Sequence, residues 1–204
     1  MNSSFVGIDI GTNRLKLAVS SKGKITALYE EIMPEELVQN GRISSYDAMS
    51  DFLKSCFKKN HIGEKRCSVL LPEEESFIRT ITMPYMKLQQ LKLNLPYEFH
   101  DFISEDKNKY VYDFVFLKAR KGEQGPEELE IMAAATSKAL ITDYQLMLKR
   151  AGLKLSVAIP YAMAYTNILT SLPGSMDAEE MSSATPDIEK TAIKGIDRKK
   201  PNIG

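Results

Sequence analysis

The sequence predicts a mixed α/β fold in which a first sheet-and-helix stretch gives way to a separate small unit. Three observations predict it. Residues 5–32 form three consecutive strand-like runs, with Leu15, Leu17 and Val19 alternating with polar residues in the second. Residues 44–61 place Tyr46, Met49, Phe52, Leu53, Cys56 and Phe57 at three- and four-residue spacing, the period of a helix with one apolar face. Beyond Pro72 and the run Glu73-Glu74-Glu75 the pattern changes at residue 76, where a separate small unit begins.

Taken in order, the expected strands are 5–10, 14–20 and 24–31, with Ser21-Lys22-Gly23 closing the second hairpin. The helix of 44–61 has Ser45 available as its N-terminal cap and Gly63 just beyond its end. A short apolar strand follows at 66–71. The second unit opens with a strand at 76–83 that stops at Pro84. Residues 87–103 then carry a helical stripe of Leu88, Leu91, Leu95, Phe99 and Phe102, in which Pro96 either kinks one helix or starts a second. Strands at 110–118 and 129–136 read as an antiparallel pair joined by a 122–128 loop. A helix at 138–151, stopped by Gly152, buries Ile141, Tyr144, Leu148 and Ala151. A strand at 155–159 and a helix at 161–172, packed through Ala164, Tyr165, Ile168 and Leu169, complete the reading. Residues 173–204, with Pro173-Gly174-Ser175 and a basic end at Arg198-Lys199-Lys200, are expected to form a loose tail.

Composition narrows the function classes. The 204 residues are 43% hydrophobic and 26% charged, enough apolar content for a buried core. Lysine plus arginine and aspartate plus glutamate each number 27, so no net field draws the molecule to nucleic acid or to an anionic membrane. No run approaches the roughly 18 apolar residues of a membrane span and the N-terminus lacks the layout of a signal peptide, so a cytosolic protein is expected, with no direct membrane insertion. Cys56 and Cys67, one in a helix and one in a strand, match no zinc or disulfide spacing and read as buried thiols.

The sharpest chemical signal is Asp9-Ile10-Gly11-Thr12-Asn13 between two strands. A glycine in so tight a turn lets the amides of residues 11–13 face a phosphate oxygen, Thr12 and Asn13 add polar groups, and Asp9 can hold a hydrated Mg²⁺ beside it. The plain alternative is a hairpin whose Asp, Gly and Asn serve turn geometry. Elsewhere the residues favour structural readings. His61 and His100 have no second His or Cys nearby, and Glu98, Asp101, Glu105 and Asp106 read as a solvated acidic face. Tyr97, Phe99, Phe102, Tyr110, Tyr112, Phe114 and Phe116 read as core of the inserted unit, some of them open to lining a partner groove. Met83, Met86, Met132 and Met147 read as core fillers.

Several stretches together resemble the PilM-type type IV pilus assembly proteins, actin-like relatives of the cell-division protein FtsA. They are Val6-Gly7-Ile8-Asp9-Ile10-Gly11-Thr12 with Lys16 following, Ser68-Val69-Leu70-Leu71-Pro72, and Phe77-Ile78-Arg79-Thr80-Ile81-Thr82-Met83-Pro84 with Tyr97-Glu98-Phe99. Tyr112-Asp113-Phe114 and Ala133-Ala134-Ala135 continue the series, followed by Leu148-Lys149-Arg150-Ala151-Gly152-Leu153 and Tyr161-Ala162-Met163-Ala164. The resemblance covers residues 5 to about 172. It implies an actin-like (RNase H-like) subdomain 1A formed by residues 1–75 and 151–172, with residues 76–150 inserted as a small α+β subdomain 1C. It also implies ATP with Mg²⁺ between two domains, a first phosphate loop of Asp9, Gly11, Thr12, Asn13 and Lys16, and no catalytic residue that can be placed here. Its implied partners are the pilus assembly machinery and the N-terminal peptide of a PilN-like inner-membrane protein, docked between 1A and 1C.

The departure from the family pattern is that a second phosphate loop, the adenosine site and all of domain 2 are expected after residue 172 and are not recognised there. Residues 191–197 have the outline of a strand entering such a loop, but Arg198-Lys199-Lys200-Pro201 lacks its glycine. The expectation is therefore a shortened, non-enzymatic scaffold at the inner face of the membrane that has lost useful ATP binding. An actin-like sugar or acetate kinase fragment and an FtsA-like protein are the alternatives.

Overall fold

The structure, a computed structural model, describes residues 4–122 and 125–164. The first hairpin pair is β1 (Phe5–Ile10), β2 (Arg14–Ser21) and β3 (Lys24–Ile32), an antiparallel meander. Lys22 and Gly23 close its second turn, both with φ in the left-handed region (54° and 75°), as a two-residue hairpin between right-twisting strands requires. A small hairpin follows, β4 (Val38–Gln39) and β5 (Arg42–Ile43), turned by Asn40-Gly41 in the same manner. Then come helix α1 (Tyr46–Lys59) and strand β6 (Arg66–Leu71).

Three strands build a second sheet: β7 (Ser76–Pro84), β8 (Tyr110–Gly122) and β9 (Gly125–Ser137). Between β7 and β8 lie helix α2 (Leu88–Asn94) and a 3₁₀ turn at Leu95–Phe99. Helix α3 (Lys138–Arg150) and strand β10 (Lys154–Pro160) then return the chain to the first sheet, and 161–164 begin a further helix. The five-stranded sheet has the order β10-β6-β1-β2-β3, with β10, β6 and β1 parallel, and the three-stranded sheet has the order β7-β9-β8.

Each sheet carries its own apolar core. Val6 and Ile8, Leu15 and Leu17, and Cys67, Val69 and Leu71 point to one face of the first sheet, where α1 adds Met49, Leu53 and Phe57 and α3 adds Tyr144, Met147 and Leu148. Period-2 strands set against period-3.6 helices give this layer directly. Leu91, Leu95 and Phe99 cover Ile81, Met83, Ile131 and Ala133 on the second sheet. Both cysteines are buried, and burial pushes each thiol up to about 11, so neither is a reactive thiolate near neutral pH.

One alternative is decided and three expectations change. Of the two readings of residues 87–103, the one in which Pro96 starts a second helix holds: α2 ends at Asn94 and Pro96 sits in the first turn of the 3₁₀ segment, where its missing N–H costs nothing. Phe102, expected on the buried stripe, is 52% exposed because the 3₁₀ segment breaks the helical period, and the Arg79 guanidinium lies 4.4 Å from its ring centre. The 122–128 loop is instead mostly strand, because β8 and β9 pair as far as Gly122 opposite Gly125. Gly63 is not the end of α1. The left-handed residue there is His61 (φ 53°), whose amide bonds to the Lys58 carbonyl at 3.2 Å while that of Ile62 bonds to Phe57 at 2.9 Å. Those two bonds are the Schellman pattern. Helix α3 ends the same way, but there the left-handed residue is Gly152 (φ 79°).

The comparison of the two helix ends gives a prediction. A non-glycine residue in the left-handed region carries roughly 1–2 kcal/mol of strain, partly offset by the greater freedom of glycine when unfolded. His61→Gly is therefore expected to stabilise the protein by about 1 kcal/mol, raising the thermal midpoint by roughly 2–4 °C. A midpoint unchanged or lowered in a calorimetric scan would refute it. The calls on Tyr165, Ile168, Leu169, the loose tail and the 191–197 echo lie outside the described residues.

Candidate functional site

The hairpin Gly11–Asn13 sits at the C-terminal end of β1, the end of parallel strands at which α/β sheets bind ligands. Its loop is tied down on both sides. The Gly11 amide donates to the Arg14 carbonyl at 3.0 Å, and the Met33 amide, at the end of β3, donates to the Asn13 carbonyl at 2.9 Å. Gly11 is required by close approach, not by a left-handed backbone: a Cβ there would stand 3.0 Å from the Arg14 carbonyl oxygen. The expected cradle of three amides is thus reduced, since that of Gly11 is spent on closing the turn. The amides of Thr12 and Asn13 are occupied by no bond within the described residues, and both residues are exposed.

Asp9 and Lys16 face each other across the β1–β2 pair, with Lys16 Nζ 3.5 Å from Asp9 Oδ2. Lys16 also lies opposite Glu30 on β3, and Glu30 is held by Arg14 at 3.1 Å. The row beside the hairpin therefore alternates in sign and has little net field of its own. What this wall can present to a ligand is one carboxylate, one ammonium, two free amides and the side chains of Thr12 and Asn13. That set fits one flank of a magnesium–phosphate group. Among the described residues no cluster of three or more His, Cys, Asp or Glu is arranged to hold a metal.

A second feature lies where the chain crosses between the sheets. The turn Glu73–Glu75 carries it from β6 into β7, and β9 passes directly back into α3. The hydroxyls of Ser76 and Thr136 bond at 2.9 Å across this crossing. Beside it Arg42 Nε pairs with Glu75 Oε1 at 2.6 Å, and the rings of Tyr46 and Tyr144 meet edge to face at 6.0 Å. Burial raises the Tyr46 phenol above its ordinary value, with the charges of Asp143 and Glu75 adding to the effect. For Tyr144 burial raises the phenol further, with Tyr46 and Glu75 contributing. The outer edge of β7, without a strand partner among the described residues, begins here, with Phe77 36% exposed and its ring 6.2 Å from Tyr110. The residues Arg42, Tyr46 and Glu75 were not picked out as a site from sequence, because they are drawn from three separate elements with no motif in common.

Of the aromatic group expected in the inserted unit, Phe99 is fully buried, while Tyr112, Phe114 and Phe116 pack against the core in part. Tyr97 is 60% exposed beneath the Lys107 ammonium, which lies 3.7 Å from its ring centre. His100 pairs with Asp101 on the surface.

A family model described as type IV pilus assembly protein PilM matches residues 7–194. The chain belongs to the PilM family of type IV pilus assembly proteins. The match runs beyond residue 172, where the sequence resemblance had been expected to end. The solved PilM–PilN type IV pilus biogenesis complex contains a chain 21% identical to this one, with a TM-score of 0.71 over 84% of this chain. The present chain spans about half (51%) of the length of that chain. Weaker structural likenesses are the cytoplasmic domain of EpsL, an inner-membrane component of the Vibrio cholerae type II secretion system, and a Bacteroides thetaiotaomicron protein of actin-like ATPase fold and unknown function. The first is 16% identical with a TM-score of 0.48, covering 78% of this chain and 57% of the other. The second is 12% identical with a TM-score of 0.40, covering 84% and 58%. No curated protein matches the chain in sequence. Of the readings left open by the sequence, the PilM family is the one matched, ahead of a kinase fragment or an FtsA-like protein.

Proposed function

We propose that this PilM-family chain is a cytoplasmic scaffold of pilus assembly that takes the extended N-terminal segment of a PilN-type membrane protein at the junction of its two sheets. In this reading β1–β3, β6, β10 and the helices α1 and α3 are subdomain 1A of an actin-like fold, and residues 76–137 are subdomain 1C; the boundary expected at 150 moves back because α3 packs into the core of the first sheet. The observation that carries the reading is the outer edge of β7, which has no strand partner among the described residues and starts at the junction beside Phe77, the Arg42–Glu75 pair and the Tyr46–Tyr144 pair. Extended peptides bind by adding a strand to such an edge, with neighbouring side chains setting the specificity. A name shared with the PilM–PilN complex supports the choice of partner. No described helix is long and apolar enough to cross a membrane, which is consistent with attachment through a partner.

The test is fluorescence anisotropy with a labelled peptide of the N-terminal residues of the PilN-type protein encoded with this chain. Binding is expected to weaken about tenfold or more, equivalent to roughly 1.4 kcal/mol, in the Phe77→Ala and Arg42→Ala variants with circular dichroism unchanged. A parent protein that shows no binding at about 100 µM peptide would remove the reading.

ATP holds a different place in the proposal. Asp9 would carry a hydrated Mg²⁺ and Lys16, Thr12 and Asn13 would hold phosphate oxygens, the metal supplying charge neutralisation when bound. Exposed hydrogen bonds of this kind contribute about 1 kcal/mol each, whereas micromolar affinity needs roughly 8 kcal/mol. These 204 residues alone are expected to show no micromolar affinity for Mg-ATP in calorimetry, and a measured micromolar constant would overturn that.

A further inference from the structure

Helix α2 carries a leucine that its own core does not use. Leu91 and Leu95 turn into the core of the three-stranded sheet, whereas Leu93, on the other side of this short helix, is 71% exposed. It is not isolated. Tyr85, Tyr97 and Phe102 come from the same stretch of chain, and each is more than half exposed. Met86, Gln90, Leu93 and Asn94 line a hollow of about 310 Å³, across which Asn94 Nδ2 donates to Met86 Sδ at 3.4 Å. Next along the chain the Tyr97 ring lies beneath Lys107, and the Tyr97 carbonyl meets His100 Nδ1 at 2.9 Å. Large apolar side chains gathered in this way and rimmed by charge mark an interaction surface, unlike apolar residues exposed singly. The patch shares no residue with the junction of Arg42, Tyr46, Glu75 and Phe77.

The surrounding charges select the occupant. On the N-terminal side of Leu93 stand Lys87 and Lys92, both exposed. On the C-terminal side Glu98, Asp101, Glu105 and Asp106 outnumber Lys107 and Lys109, and Lys109 is engaged with Glu105 at 3.1 Å. The patch is thus positive at one end, negative at the other and balanced as a whole. Such balance gives no attraction to an anionic membrane, which draws in basic segments. It suits a second copy of the same patch. Under a two-fold axis, residues near the axis meet their own copies and each end meets the opposite end. With the axis beside Leu93, the two leucines and the two hollows meet centrally. Lys87 and Lys92 of each copy then face the carboxylates of the other, and this happens twice.

We propose that the outer surface of α2 and the segment that follows it is a self-complementary interface through which two copies of this chain pair. The test is sedimentation equilibrium of the full chain between about 10 and 300 µM, a range chosen for the weak association expected of a small interface. The parent is expected to show a monomer–dimer equilibrium. Leu93→Asp should raise the dissociation constant about tenfold or more, whereas Leu146→Asp, at another exposed leucine on α3, should leave it within about twofold. Lys92→Glu and Asp101→Lys should each weaken pairing about fivefold, because each sets like charges together at both ends of the contact. Mixed in equal amounts, these two variants should pair with each other at close to parental strength, since opposite charges then meet at both ends. All four substitutions lie at exposed positions, and unchanged circular dichroism checks that the fold is kept. A parent that stays monomeric throughout the range would overturn the proposal. So would an equal loss in Leu146→Asp, or a mixture that associates no better than either variant alone.

Discussion

Replacing Phe99 by alanine is expected to unfold the three-stranded unit while the five-stranded sheet keeps its structure. Phe99 is fully buried, shares its core with Leu91, Leu95 and Ile103, and its ring lies 5.6 Å from that of Tyr112. Removal of a buried phenylalanine costs about 3–5 kcal/mol, a large part of the 5–15 kcal/mol that holds a whole domain. The smaller core has little to absorb that loss, with ten buried apolar residues among the described ones against nineteen in the larger. Its two small central residues, Ala133 and Ala135, leave the helical layer to supply most of the contact with β9. Hydrogen exchange should show amides near 81–83, 110–116 and 129–135 losing protection while those at 6–9, 15–19 and 67–71 retain it. The same variant should lose the PilN-type peptide, because one wall of the proposed junction is gone. Uniform loss of protection throughout the chain would show instead that the two sheets unfold as one body.

Much of this organisation was legible in the sequence, and the reasons are local. The meander of β1 to β3 could be read because strict alternation at Leu15, Leu17 and Val19 allows only a half-buried strand, and because Lys22-Gly23 allows only a tight turn. Helix α1 could be read because its stripe is long and Ser45 caps it, the hydroxyl accepting the Ala48 amide at 3.3 Å. What failed was decided by contacts between distant segments. Nothing near Gly122 shows that β8 and β9 continue pairing, since that extension depends on two strands supporting each other. Nothing near His61 shows that it takes the left-handed position in place of Gly63. The choice is fixed by the carbonyls of Phe57 and Lys58 and by burial of Ile62 beside Phe57. The hairpin at Gly11 was found as a motif, yet its chemistry was read too generously. Only the folded turn shows that the Gly11 amide has already been used by Arg14.

The helical layer of the larger unit gives the complementary experiment. Ser50 is 3% exposed where α1 meets α3, with its hydroxyl 2.7 Å from the Tyr46 carbonyl on its own helix and 2.9 Å from the Met147 carbonyl on the other. A single hydroxyl hydrogen serves one of these at a time. The Met147 carbonyl already accepts the Ala151 amide at 3.1 Å, so Ser50→Ala strands no buried group and should cost only about 1 kcal/mol. Ser50→Leu is a different matter. The longer side chain would be driven into the backbone of α3 at the point of closest approach, and overpacking adds about 1–3 kcal/mol to the lost hydrogen bond. A total near 2–4 kcal/mol, read as a fall in the denaturation midpoint, is expected. Exchange should rise first at 49–57 and 140–148 and then in the inner strands, with Ile81 and 129–135 still protected by their own core. Set beside Phe99→Ala, the two variants should give opposite maps if each sheet stands on its own core. Identical maps would mean that the crossing at Ser76 and Thr136 welds them, and the peptide would then have to enter a junction that does not open.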